Sequence, residues 1–111
     1  MEQRLTLTSA SDGWLIEGEL DGHNASSLRA WCNHIEVVNE PRTLELTALE
    51  LLDAEGVTAA IETVRLLLQR TPLLIIHHAP HLLSHTLYRL GMLEAGQRLV
   101  LVEPRQEEPY G

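Results

Sequence analysis

The sequence predicts an α/β fold: one domain with a mixed sheet of about five strands and helices packed against it. Three observations carry this. Short apolar or alternating segments recur near residues 5–7, 14–18, 43–47, 73–76 and 99–102. Between the later ones run longer segments with apolar residues three and four apart, the spacing of an amphipathic helix. The chain has 111 residues, 44% of them apolar, enough for one core. No linker or repeat divides it, and strands alternating with helices imply a sheet covered by helices.

Each element has its own justification. Leu5 and Leu7 alternate with Thr6 and Thr8, a first strand. Asp12-Gly13 is a turn signal and residues 14–18 return, so the start reads as a hairpin. Residues 24–38 read as a helix with Leu28, Trp31, Cys32 and Ile35 on its inner face and Asn24 as its cap. Leu44 and Leu46 alternate with polar neighbours in a third strand over 43–47. Asp53 is a natural N-cap for a long helix over 54–70, since its carboxylate can accept from an amide just past Ala54. Val57, Ala60, Ile61, Val64, Leu67 and Leu68 form that helix's apolar stripe. The unbroken run Leu73, Leu74, Ile75, Ile76 suits a strand covered on both faces. Pro80 can open a helix with Leu83, Thr86, Leu87 and Leu90 inward, and Gly91 ends it where a left-handed residue is wanted. Residues 99–102 are the last strand. The domain is expected over 1–102, with 103–111, which carry two Pro and three Glu, as a frayed tail.

The richest stretch is Leu44-Glu45-Leu46-Thr47, a short loop, then Asp53-Ala54-Glu55-Gly56 opening the long helix. A second block reads Gly18-Glu19-Leu20-Asp21-Gly22-His23-Asn24-Ala25, followed by Leu28-Arg29. Together, at this separation, the two blocks resemble the signature of STAS domains, the family of the anti-sigma factor antagonists. The resemblance spans roughly residues 4–102. It implies a STAS-like fold and a partner-docking edge at Asp21, Asn24, Asp53, Ala54, Glu55 and Gly56. In the regulatory branch of that family the second Ser of Asp-Ser-Ser-Gly is phosphorylated by a partner kinase. Here Glu55 stands at that position and Ala54 precedes it, so no phosphorylation is expected there. STAS domains commonly add a further helix; Pro104 and Pro109 argue against a normal one here.

The same residues have a plainer use. Asp53 and Asn24 serve as caps, and Glu55 offsets the positive end of the helix dipole. Gly56 leaves little bulk in the first turn, where a partner backbone could approach.

Composition narrows the partners. The net charge is −8, with eight Arg and no Lys, which argues against nucleic acid; it fits a basic protein surface or cationic loop, and equally serves simple solubility. Cys32 is alone, so no intrachain disulfide forms, and its place beside Leu28 and Ile35 suits a buried thiol. Residues 2–13 lack the apolar core of a signal peptide and no apolar run could cross a bilayer, so cytoplasm is the expected compartment.

His77, His78, His81 and His85 form a second candidate. His81 and His85, four apart on a helix, share a face and could share a metal, with His77 or His78 as a third ligand. No Glu lies between the helical pair, and no nearby Cys or Asp completes a set. The reading is surface histidines, with no metal and no cofactor. Ser84 and Cys32 have no histidine suitably placed, and the seven Gly are scattered, so no enzyme is expected.

The expected function is a non-catalytic, STAS-type interaction domain of bacterial regulation. By the resemblance its partner is a kinase-like anti-sigma factor; the alternative is an accessory subunit of a lipid-transporting ABC ATPase.

Overall fold

The computed structural model describes residues 4–105. Among the described residues nine elements follow one another: β1 Leu5–Ala10, β2 Gly13–Leu20, α1 Ala25–Asn33, β3 Arg42–Glu45, β4 Leu49–Leu51, α2 Ala54–Leu68, β5 Leu74–His77, α3 His81–Arg89 and β6 Leu99–Val102. The six strands form one mixed sheet in the order β1-β2-β3-β5-β6, with β4 also paired to β2. The mixed α/β class expected from the pattern is the observed one.

β1 and β2 form the antiparallel hairpin, joined by the two-residue turn Ser11-Asp12, with Gly13 already in β2 and paired to Ala10. β3, β5 and β6 add in parallel, since the helices α2 and α3 carry the chain back between them. β4 is the strand the sequence did not announce. It continues the path of β3 along β2, but Leu15 pairs Glu45 while Leu20 pairs Leu51, one residue out of step. The extra residue is taken up around Thr47 and Ala48. There Leu49 N–H donates to Leu46 O at 3.1 Å and Gly18 N–H to Ala48 O at 2.8 Å. This kink lets the strand leave β5 and feed α2.

The core lies between the helices and one face of the sheet. Leu28 of α1, Val64 of α2 and Leu83 of α3 meet Ile16, Leu44 and Leu46 around a void of only ≈ 10 Å³. All three helices therefore cover the same face. The other face is bare among the described residues, and Leu15, Thr43, Ile75 and His77 on it stay half-buried. The both-faces covering expected for β5 is thus corrected. An unbroken apolar run does not distinguish a doubly covered strand from one whose outer face is shielded by its neighbours.

Helix α1 stops at Asn33 rather than 38, because Val38 N–H is taken by Arg70 O at 2.7 Å, outside any helix. Gly91 has φ of 74°, the left-handed conformation expected at that helix end. Hydrogen bonding to the domain continues past residue 102. Arg105 N–H donates to Ala79 O at 3.0 Å and its guanidinium donates to three carbonyls, those of Leu46, Leu49 and His78. Residues 106–111, the rest of the expected tail, lie outside the described residues.

Candidate functional site

Parallel strands followed by helices bring their carboxyl ends to one edge, where α/β folds place binding groups. Four segments meet this edge: the β2–α1 turn, the β4–α2 junction, the β5–α3 turn and the residues after β6.

The β4–α2 junction is built around Asp53. Its Oδ1 accepts from Gly56 N–H at 2.7 Å, the expected cap, and its Oδ2 accepts from Gly22 N–H at 3.2 Å. One carboxylate therefore fixes the start of α2 and ties it to the β2–α1 turn. Leu52 N–H adds a bond to Leu20 O at 3.0 Å. Gly56 is buried, and a Cβ there would press on Leu20 O, with the Leu20 carbonyl carbon 3.0 Å away. The backbone that approaches this glycine is the chain's own.

The β2–α1 turn is equally occupied. Asp21 is 5% exposed. It accepts from the Arg4 guanidinium at 2.6 Å and from the amides of His23 and Asn24 at 2.9 and 3.2 Å. Burial alone would raise its pKa. The Arg4 hydrogen bond and the two amides outweigh burial and hold the carboxyl below the usual range. Asn24 does not cap α1 with its side chain. Its amide accepts from Asp21 N–H at 3.0 Å and donates to Glu19 O at 2.7 Å, closing the turn on itself.

Of the six residues marked in the sequence, Asp21 and Gly56 are thus interior struts and Asn24 is half-buried, while Asp53, Ala54 and Glu55 are exposed. Glu55 lies over Gly22, where an added Cβ would come within 2.8 Å of its carboxyl carbon. Beside it the surface turns apolar. Leu52 is 47% exposed and Leu82 of α3 is 49% exposed. With Ala54, Val57 and Thr58 they line a shallow groove of ≈ 560 Å³. The Thr58 hydroxyl donates back to Ala54 O at 3.1 Å. Leu52 and Leu82 were not marked in the sequence. Leu82 lies off the apolar stripe of α3, and that departure was the available signal.

The histidines separate into two groups. His81 and His85 stack on α3, ring centres 5.9 Å apart and planes 15° apart. His78 joins a different set. Its Nδ1 lies 2.9 Å from Glu45 Oε2 and 3.0 Å from the Thr47 hydroxyl, and its Nε2 lies 3.1 Å from Glu103 Oε2. The Glu45 hydrogen bond raises the His78 pKa against a smaller opposing effect of burial, and Glu103 adds to the rise. Burial acts to raise the Glu45 pKa, but the Thr47 hydroxyl and His78 outweigh it, and the net shift is downward. His78 and Glu103 both have positive φ, 57° and 49°. Left-handed backbone costs a residue with a Cβ roughly 1–2 kcal/mol. Sequence reading missed Glu45 and Glu103 because only the β3–β5–β6 pairing brings them to His78. Cys32 is buried, and burial raises its thiol pKa, the opposite of an activated nucleophile. Among the described residues no helix is long and apolar enough to cross a membrane.

Searches against family models, curated proteins and solved structures find no match to this chain.

Proposed function

We propose that this chain is a non-catalytic protein-interaction domain that docks through the start of α2. The observation that carries this reading is the juxtaposition of exposed Leu52 and Leu82 with exposed Ala54 and Glu55 at a helix start held rigid from behind. Apolar surface rimmed by charge is the composition of a docking patch. The struts behind it, Asp21, Asn24, Asp53 and Gly56, keep its geometry fixed on binding.

The partner is a regulatory protein offering a basic loop. The net charge of −8 favours a cationic surface, and the exposed Glu55 carboxylate can accept from an arginine. The resemblance of the two sequence blocks to STAS domains supports a kinase-like anti-sigma factor in this role, in the cytoplasm of a bacterium. Glu55 then acts as a constant contact where that family carries a phosphorylatable serine.

The test is affinity capture of the full chain's partners from its native host, followed by titration of the recovered protein. Glu55→Lys and Leu52→Ala/Leu82→Ala are expected to weaken binding while leaving the fold intact by thermal melts. Equal binding by both variants and the parent removes this edge from consideration. Recovery of an ABC ATPase in place of a kinase-like regulator transfers the chain to transport.

A further inference from the structure

We propose that Glu45, His77 and His78 form a binding site for a zinc-class divalent cation at the carboxyl ends of β3 and β5. The parallel pairing of these strands sets Glu45 opposite His77. One donor atom from each of the three side chains lies within 4.8 Å of the other two. Successive residues of a regular strand point to opposite faces, so neighbouring histidines do not ordinarily share a ligand. His78 escapes this rule. It has just left β5 with φ of 57°, and its ring comes to Glu45 Oε2 at 2.9 Å.

The donor set fits the ion. Two imidazoles and a carboxylate are the ligands of three-residue zinc sites, which keep a fourth position for water. Ligands about 2.0 Å from a tetrahedral ion stand roughly 3.3 Å apart, near the Glu45–His78 spacing, and the His77 donor, within 4.8 Å of both, closes in on binding. Imidazole ligands also favour zinc over magnesium or calcium, which prefer all-oxygen sets.

The surroundings support the three ligands. Glu103 Oε2, 3.1 Å from His78 Nε2, can accept that N–H and so leave Nδ1 bare for the metal. The Thr47 hydroxyl and amide donate to Glu45 Oε2 at 2.5 and 3.1 Å and orient the carboxylate. Glu103 has left-handed backbone like His78, at the end of the adjacent strand. Two strained residues thus turn their side chains into one cluster, a concentration typical of functional sites. A groove of ≈ 320 Å³ on the bare face of the sheet, lined in part by Leu15, Thr43, Glu45 and His77, gives a route from solvent. On binding, bonds form from the ion to His78 Nδ1, one His77 nitrogen and a Glu45 oxygen. Water leaves the ion, and any proton on those nitrogens passes to solvent.

The experiment uses the full chain without a histidine tag, dialysed against Zn²⁺ with excess Mg²⁺ present. Metal content is counted and the imidazole resonances are followed by NMR. The expected result is one zinc per chain, with the His77 and His78 signals shifting together. His77→Ala and Glu45→Gln should each weaken binding about tenfold or more, and Glu103→Gln about 10- to 100-fold. His81→Ala/His85→Ala should leave it unchanged. Melting curves check that each variant is folded, and the two ligand substitutions serve as independent arms. Absence of stoichiometric zinc overturns the site. So does zinc that is lost with His81 and His85 but retained by His77→Ala and Glu45→Gln.

Discussion

Gly56 shows how a single residue can be misjudged from propensity alone. Glycine inside a helix is worse than alanine by about 1 kcal/mol, so Gly56→Ala would be stabilising on that ground. Here the added methyl meets the backbone of Leu20, which cannot swing away like a side chain. The substitution should instead destabilise by about 1–3 kcal/mol, as overpacking does. Urea unfolding of parent and variant decides the sign. Asp21 supplies a second residue-scale prediction. Its folded pKa is depressed relative to the unfolded chain. The stability it contributes is therefore complete above the ordinary carboxylate pKa, about 3.9, and is lost as pH falls through the lower folded value. Asp21→Asn should be less stable than the parent at neutral pH, and the difference should narrow below about pH 4. Melts from pH 7 to pH 3 measure this, and a constant difference would count against the Arg4–Asp21 pair.

At the scale of elements, α2 begins where three constraints coincide: a cap, a buried glycine and a tie to the neighbouring turn. Asp53→Ala removes the cap and the Gly22 bond together, and should cost about 0.5–2 kcal/mol or somewhat more. Glu55→Lys reverses a charge at the positive end of the helix dipole and near Arg29, and should cost roughly 0.3–1 kcal/mol by the same melts. A binding loss well beyond that would locate the contact at the helix start rather than in the fold. The element also limits regulation. Ala54 and Glu55 offer no hydroxyl, and Thr58 lies one turn further in, its hydroxyl engaged with Ala54 O. Phosphorylation of the parent in this turn is not expected. Glu55→Ser, offered with the parent to a recovered kinase-like partner, should alone be modified. Stoichiometric modification of Thr58 in the parent would sink that account.

For the whole molecule, the folded unit is closed by Arg105. Its guanidinium satisfies the carbonyls of Leu46, Leu49 and His78, joining the kink after β3 to the end of β5. Arg105→Ala removes these three bonds, leaving Leu46 O with its bond from Leu49 N–H, and should destabilise by about 1–3 kcal/mol. A chain ending at residue 102 should be less stable than one ending at 105 by at least that loss. Equal stability of the 102 and 105 truncations would return the boundary to 102.

Period and punctuation in the sequence determined the α/β class, the hairpin, the Asp53 cap, the left-handed Gly91 and, of the expected α2 stripe, the buried Ala60, Ile61, Val64 and Leu67, because each depends on residues within a few positions; Val57 and Leu68 of that stripe are half-buried. Tertiary structure alone decided what spans the sheet. Short β4 exists only because β2 receives it one residue out of step, and a three-residue strand has no period to read. Asp21 and Gly56 resemble surface residues in the sequence and are interior struts because the β2–α1 turn and α2 press together. Glu45, His78 and Glu103 are distant in the chain and meet through strand pairing. Such contacts follow from which strands lie side by side, a property of the whole sheet that no local run of residues contains.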